Sequence, residues 1–204
     1  MQQTNEAIIA EQKERIKKTM EGITCSLLVM SGKGGVGKTS VAVNVAYGLA
    51  AEGHTVGILD VDLHGPNIAK MLGIEKKMLQ GSEHSLQPVE VIPRLHAVSI
   101  ALVGYASDQP IIWRGPLKTA AIRQFLADVE WGRLDYLIID APPGTGDEPL
   151  SICQLIPHMS GVIIVTTPQD VAILDVAKSI RFAKELRVPV VGIVENMSVP
   201  SPAR

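Results

Sequence analysis

Residues 32–39 combine four glycines with two lysines and a threonine in a chain of 204 residues. The segment reads Gly-Lys-Gly-Gly-Val-Gly-Lys-Thr and fits the pattern G-x-x-x-x-G-K-[ST] of a phosphate-binding loop. Its glycines allow successive backbone N–H groups to turn toward phosphate oxygens, and a helix beginning near Lys38 adds the positive end of its dipole. We therefore expect Lys38 to contact the β- and γ-phosphates of a nucleotide and the Thr39 hydroxyl to ligate Mg²⁺.

The same glycines also satisfy a second pattern, the dinucleotide fingerprint G-x-G-x-x-G. In that interpretation Asp60, at the end of the next predicted strand, would hold a ribose hydroxyl of NAD, and an NAD-binding oxidoreductase stays open. Lys38 and Thr39 argue against it, because a pyrophosphate cradle needs neither. A second acid, Asp62, and a further strand that ends in an acid also favour the phosphate-binding loop.

Two apolar strands end in carboxylates that suit magnesium and water chemistry. Asp60 and Asp62 follow one strand, and Asp140 ends the run Leu-Ile-Ile-Asp in the manner of a Walker B strand. The carboxyl ends of parallel strands face the ligand crevice, so Asp140 is expected to hold Mg²⁺ and Asp62 to help hold it or to orient the attacking water. The Pro- and Gly-rich loop 141–147 is expected beside the γ-phosphate. None of the four asparagines precedes a lysine, which favours ATP over GTP.

These side chains need a sheet with helices on both faces to position them. Short apolar runs alternate with helical segments, which predicts an α/β fold with a doubly wound, mainly parallel sheet of the P-loop NTPase type, shortened at the C-terminus. Residues 1–22 are expected to form an N-terminal helical extension outside the main core, residues 23–204 the ATPase domain, and residues 73–95 loops with a hairpin. The predicted strands are 27–31, 55–60, 96–102, 136–140, 161–166 and 189–194, and the predicted helices are 38–52, 116–129, 149–156 and 171–186.

Composition excludes several other classes of function. The net charge is −2 and aromatic residues make up 3%, so we expect neither nucleic-acid nor membrane binding. No apolar run approaches the length of a membrane span, and no secretory signal begins the chain. The two cysteines, Cys25 and Cys153, are too far apart for a metal-binding spacing and fit a reducing compartment. We therefore expect a cytoplasmic protein.

The loop 33–39, with its early lysine, resembles the deviant Walker A motif of the MinD/ParA/nitrogenase-iron-protein class. More narrowly, four segments resemble the Mrp/ApbC family of iron–sulfur cluster carrier ATPases. They are Leu-Asp-Val-Asp-Leu-His-Gly-Pro at 59–66, Trp-Arg-Gly-Pro at 113–116, the run 131–147, and Val-Glu-Asn-Met-Ser at 194–198. The resemblance implies a homodimer that encloses two ATP molecules, with Lys33 reaching the phosphates of the other subunit. It also implies that Asp62 positions the hydrolytic water, that Asp140 organises Mg²⁺, and that Asn196 and Pro168 lie at the adenine base.

The residues expected to bind ATP are accordingly Gly32, Lys33, Gly34, Gly35, Val36, Gly37, Lys38, Thr39, Ser40, Pro168 and Asn196. Those expected to act in catalysis are Lys33, Lys38 and Asp62, and those expected to hold Mg²⁺ are Thr39, Asp62 and Asp140.

The chain departs from this family after the Asn-Met-Ser sequence. In the family a Cys-x-x-Cys pair follows closely and binds a [4Fe-4S] cluster, whereas residues 199–204 here read Val-Pro-Ser-Pro-Ala-Arg. Thiolates are the iron ligands, and they are absent at that spacing. The resemblance thus implies a slow Mg-dependent ATPase linked to iron–sulfur cluster assembly and to client proteins, with no cluster ligands in this chain. A ParA/MinD-like positioning ATPase and a non-catalytic nucleotide-binding partner of a longer relative remain alternatives.

Overall fold

The computed structural model describes residues 2–62, 65–82, 85–102 and 115–198. The strands are β1 (Ile23–Met30), β2 (Val56–Asp60), β3 (Gln80–Ser82), β4 (Ser85–Gln87), β5 (Val89–Ile92), β6 (Leu95–Ser99), β7 (Leu134–Asp140), β8 (Gly161–Thr166) and β9 (Val190–Glu195). The helices are α1 (Gln2–Glu21), α2 (Lys38–Ala51), α3 (Ile68–Met71), α4 (Gly115–Asp128), α5 (Asp147–Leu155) and α6 (Asp170–Glu185).

Within these residues the main sheet has seven strands in the order β5-β6-β2-β7-β1-β8-β9. Neighbouring strands run parallel except β5, which is antiparallel to β6. The predicted mainly parallel α/β fold is confirmed. The hairpin expected within residues 73–95 is also present, as β3 paired with β4.

Alternate residues of the central strands enter two separate cores. Leu28 of β1 packs into a cluster with side chains of α1, α4, α5 and α6, whereas its neighbour Leu27 packs into a second cluster with α2 and α3. Successive residues of a strand point to opposite faces of the sheet. Because both the odd-numbered and the even-numbered residues of these strands are apolar, helices must cover both faces. This arrangement explains why the central strands read as continuous apolar runs.

Helix α1 is part of the core, and the expectation that it lies outside it is wrong. Ile16 is 1% exposed, and Met20 is buried in the same cluster as α4. Arg15 also forms an ion pair with the buried Asp128 of α4 at 2.8 Å. The i, i+4 spacing of Ile16 and Met20 gives α1 one apolar face, and α4 covers it. A domain boundary at residue 22 stays a prediction.

The strand predicted over residues 96–102 ends at Ser99, because Ile100–Leu102 turn into a 3₁₀ helix. Trp113, Arg114 and residues 199–204 lie outside the described residues. Among the described helices, none is long and apolar enough to cross a bilayer.

Candidate functional site

Strand register gathers the predicted acids at one edge of the sheet. Asp60 of β2 is the register partner of Asp140 on β7 and of Ser99 on β6. On its other side Asp140 is the partner of Val29, close to the end of β1. Because these strands are parallel, their carboxyl ends meet where the glycine loop leaves β1.

The glycine loop adopts conformations that ordinary side chains disfavour. Gly35 and Gly37 have φ values of 78° and 85°, in the left-handed region. Gly37 is the N-cap of α2 and offers no side chain to bond the first N–H groups of that helix. Gly32 lies tight against α6, where an added Cβ would come within 2.4 Å of the Asp175 Cβ. The N-terminus of α2 is thus left with donors suited to an anion.

Three predicted residues form one connected group at the start of α2. Lys38 Nζ donates to Asp140 Oδ1 at 2.5 Å, and Thr39 Oγ1 donates to Asp140 Oδ2 at 2.7 Å. The side chains of Lys38 and Asp140 are 7% and 1% exposed, so this ion pair is buried. Lys38 Nζ also lies 3.9 Å from Asp62 Oδ2. The lysine and hydroxyl of the loop are held in place by the acid of the Walker B strand.

Burial and mutual repulsion raise the pKa values of two acids at this edge of the sheet. Burial raises the pKa of Asp60 to about 7, and the charge of Asp140 adds to the rise. Burial likewise raises the pKa of Asp140, although the ammonium of Lys38 opposes that shift. The site therefore concentrates carboxylates around one lysine, an arrangement that a divalent cation would stabilise.

Asp60 does not project toward a ligand, which corrects its role in the NAD interpretation. It is 1% exposed, and Oδ1 accepts a hydrogen bond from the Asp62 N–H. Its Oδ2 accepts from the Ile68 N–H and the Ser99 hydroxyl. Asp60 therefore stabilises the segment between β2 and α3, and it is not among the residues that line the cavity over the loop, where a ribose hydroxyl could reach it.

A cavity of about 440 Å³ opens over the loop. Its lining includes the predicted residues Gly34, Gly35, Gly37, Lys38, Thr39, Ser40 and Asp62. Val36 lies beneath the loop in the core, 2% exposed. The volume falls in the range of small-molecule sites.

Other cavity residues were not singled out from the sequence. They are Ser31, Asn67, Met71, Pro143 and Met197, although the loop containing Pro143 was expected beside the γ-phosphate. Asn67 and Met71 come from the start and end of the short helix α3. The only sequence signal for them is that they follow closely after Asp62.

Three residues predicted from the resemblance lie at the rim of the loop. Lys33 Nζ donates to Gln169 Oε1 at 2.7 Å, and Pro168, next to Gln169, is exposed. Asn196 Nδ2 donates to the Val36 carbonyl at 2.9 Å. The structure thus brings Lys33 and Asn196 to the loop, while their contacts with nucleotide stay predictions.

The residues present fit a magnesium ion completed by phosphate oxygens. Thr39, Asp62 and Asp140 offer oxygen donors at the loop, the ligand type that Mg²⁺ prefers. No group of three or more His, Cys, Asp or Glu side chains suited to a metal occurs among the described residues. Mg²⁺ commonly binds through one or two carboxylates together with substrate phosphates, which agrees with this set.

The cysteines of the described residues do not form a shared site. Cys25 packs with the cluster on the α2 face of the sheet, whereas Cys153 packs with the cluster on the opposite face. Burial raises the pKa of the Cys153 thiol to about 11. The sheet separates these thiols, so the two together cannot ligate one iron–sulfur cluster.

The amino-acid sequence is similar to those of known proteins. The family described as the NUBPL iron-transfer P-loop NTPase, of ParA type, matches residues 22–202. An iron-sulfur cluster carrier protein of Methanocaldococcus jannaschii is 50% identical over 94% of this chain, and one of Saccharolobus solfataricus is 50% identical over 90%. The chain covers 66% and 62% of these relatives, which is just under two thirds of their length.

Solved structures agree on the fold. A nucleotide-binding protein from Archaeoglobus fulgidus in complex with ADP matches with a TM-score of 0.77 and 41% identity, over 91% of this chain and 71% of its own. The septum site-determining protein MinD from Pyrococcus horikoshii, complexed with Mg-ADP, matches with a TM-score of 0.65 over 87% of this chain and 72% of its own. At 20% identity this second likeness shows the fold alone. From the phosphate-loop geometry and the family match over residues 22–202 together, the chain belongs to the NUBPL iron-transfer family of P-loop NTPases, of ParA type.

Proposed function

We propose that this chain binds Mg-ATP at the glycine loop and hydrolyses it slowly, as the nucleotide-dependent step of iron–sulfur cluster transfer. The observation that carries the proposal is the buried group of Lys38, Thr39 and Asp140 at the N-terminus of α2, beneath an open cavity. ATP is the expected substrate because the sequence has no guanine-recognition motif.

Binding is assigned to the loop and its lysine. The loop N–H groups and Lys38 would hold the β- and γ-phosphates, and Lys38 would then share its charge between phosphate and Asp140. Bound Mg²⁺ would be held by Thr39 and Asp140, with Asp62 nearby, and would neutralise charge that develops on the phosphate oxygens. This placement leaves the γ-phosphate facing Asp62 across the cavity.

Asp62 is assigned to the attacking water. Its carboxylate lines the cavity and lies 3.9 Å from the Lys38 ammonium, on the strand edge next to the loop. A water oriented by Asp62 would form the new oxygen–phosphorus bond while the bond from the γ-phosphorus to the bridging oxygen breaks. The proton of that water would pass to an oxygen of the released phosphate, and the products would be ADP and phosphate. A fixed carboxylate lowers the barrier mainly by orienting that water.

Lys33 is assigned to a second copy of the chain, so the active form would be a homodimer. In its own subunit Lys33 donates to Gln169 through an exposed hydrogen bond, which leaves the lysine near the surface and able to reorient. A cation supplied to the partner's γ-phosphate would stabilise charge developing in the transition state. We place this activity in the cytoplasm, with iron–sulfur proteins as clients.

The cysteine pattern favours a second candidate role beside the first. Since Cys25 and Cys153 lie on opposite faces of the sheet, this chain could act as a nucleotide-binding partner of a relative that carries the cluster. Anaerobic reconstitution with iron and sulfide separates the two roles. A stoichiometric cluster with thiolate-to-iron absorption would favour carriage by the chain itself. ATP binding without a cluster would favour the partner role.

The experiment that tests the ATPase is the substitution Lys38→Ala with Lys178→Ala as its control. Lys178 lies on α6 with its side chain 70% exposed and its Nζ 3.6 Å from Asp175 Oδ1, so its loss removes a surface positive charge that is not part of the loop. We expect Lys38→Ala to abolish phosphate release and Lys178→Ala to leave it unchanged. Unaltered hydrolysis in Lys38→Ala would refute the assignment.

A further inference from the structure

Asn196 connects the end of β9 to the phosphate-binding loop. Its backbone N–H donates to the Thr166 carbonyl at 2.8 Å, which fixes the residue against the end of β8. Its side-chain Nδ2 donates to the Val36 carbonyl at 2.9 Å, in a partly buried contact between residues 160 positions apart. Asn196 thus connects the ends of β8 and β9 to the phosphate-binding loop.

That contact orients a peptide group in the centre of the loop. The Val36 carbonyl and the Gly37 N–H belong to one planar trans peptide and point in opposite directions. Holding the carbonyl toward Asn196 therefore turns the Gly37 N–H away from Asn196. Gly37 lines the cavity, so this peptide plane bears directly on how the loop presents its donors.

Gly37 itself supports this close relationship. An added Cβ at Gly37 would lie within 2.2 Å of Asn196 Nδ2, and its φ of 85° already disfavours a side chain. The asparagine occupies the space that a larger residue would need. A side chain at position 37 would therefore collide with the Asn196 amide.

We propose that Asn196 is a positioning residue of the phosphate-binding loop, which it holds in its anion-binding conformation through the Val36 carbonyl. The proposal rests on the nucleotide binding proposed above. It differs from the adenine contact that the family resemblance implies for Asn196, because an effect through the loop reaches the phosphates of any ligand whatever its base.

The test is to measure the binding of Mg-ATP, Mg-GTP and inorganic tripolyphosphate to Asn196→Ala by titration calorimetry. Losing one hydrogen bond of this kind should weaken phosphate binding by about three- to tenfold. We expect the same fold loss for each of these ligands that the wild type binds, tripolyphosphate included. The control is Ser198→Ala, in the same segment, whose exposed hydroxyl donates only to the nearby Glu195 carbonyl and should leave all three affinities unchanged.

The possible results separate the interpretations. A loss confined to ATP, with tripolyphosphate binding as in the wild type, would overturn the proposal in favour of a base contact. Unchanged affinities for all three ligands would overturn it as well. If wild-type protein binds neither ATP nor tripolyphosphate, the proposed function fails and the inference fails with it.

Folding is monitored separately by thermal unfolding without ligand. If Asn196→Ala does not fold, Asn196→Ser provides a milder change, because serine keeps a polar side chain at this position. The serine hydroxyl is too short to reach the Val36 carbonyl, so the contact with the loop is still lost. The same uniform loss of affinity is expected for that variant. Affinities equal to the wild type would contradict the proposal.

Discussion

Replacing Lys38 with methionine should destabilise the protein even without nucleotide. Methionine keeps most of the aliphatic volume of lysine but removes the ammonium that pairs with Asp140. Asp140 is 1% exposed and, among the hydrogen bonds of the described residues, its carboxylate would keep that from the Thr39 hydroxyl. Removing one member of a buried ion pair costs about 3–5 kcal/mol. Because the pKa of Asp140 is already raised, protonation limits the cost, and we expect about 3 kcal/mol.

The opposite substitution, Asp140→Asn, should cost less. Lys38 would then lose its nearest carboxylate but keep Asp62, whose Oδ2 lies 3.9 Å from Nζ. The double variant Lys38→Met with Asp140→Asn leaves no unpaired buried charge at this pair. It should therefore be more stable than Lys38→Met alone, by about 1–2 kcal/mol.

The assay is urea unfolding, together with thermal unfolding, of all four proteins without nucleotide and with a chelator present. For a chain of this size, 3 kcal/mol corresponds to a fall in the midpoint of thermal unfolding of about 6–12 °C. A double variant whose loss equals the sum of the single losses would refute the coupling between Lys38 and Asp140. So would a Lys38→Met protein as stable as the wild type.

Three further predictions concern the core, the loop and a thiol. Ile16→Ala should lower the free energy of unfolding by about 2–4 kcal/mol, because Ile16 is buried and packs α1 into the core. Ile9→Ala, at a site 36% exposed, should change it by less than about 0.5 kcal/mol. Equal urea midpoints for the two variants would contradict this prediction. Gly32→Ala should abolish ATP binding because its Cβ would lie 2.4 Å from a carbon of α6, whereas Gly48→Ala, with open space in α2, should bind normally in the same titration. In a chain whose other cysteine is replaced by serine, Cys153 should react slowly with iodoacetamide at pH 8, since a pKa of about 11 leaves about one thiol in a thousand ionised. That rate should rise as the pH approaches 11, and a fast reaction at pH 8 that is unchanged by urea would contradict the burial.

The parts of the site that are local in sequence could be predicted from it. The phosphate-binding loop is one such part, because its glycines, lysine and threonine must be adjacent in the chain to surround a phosphate. Asp140 was also predictable, because an apolar strand that ends in an acid brings that acid to the carboxyl edge of a parallel sheet. The layered fold followed from the alternation of apolar strands with helices.

Features that depend on packing between distant segments could not be predicted. No pattern in the sequence indicates that Asp60 accepts hydrogen bonds from Ser99 and the Ile68 N–H instead of facing the cavity. The contact between Asn196 and Val36 likewise depends on where β9 ends relative to the loop. The burial of Ile16 depends on α4, whose apolar face is formed by residues about 100 positions later.

The strand order has a consequence for how the chain acquires its site during synthesis. Strand β1, which leads into the loop, has β7 and β8 as its neighbours, and Lys38 is 102 residues from its partner Asp140. At a synthesis rate of about 5–20 residues per second, the ribosome takes roughly 5–20 s to make the intervening chain. During that interval the backbone N–H and C=O groups along both edges of β1 wait for β7 and β8, the strands with which they pair in the folded sheet. The phosphate-binding loop is therefore translated early, but its contact with Asp140 can form only after β7 has been made. The nascent chain is a candidate for chaperone protection until β7 emerges.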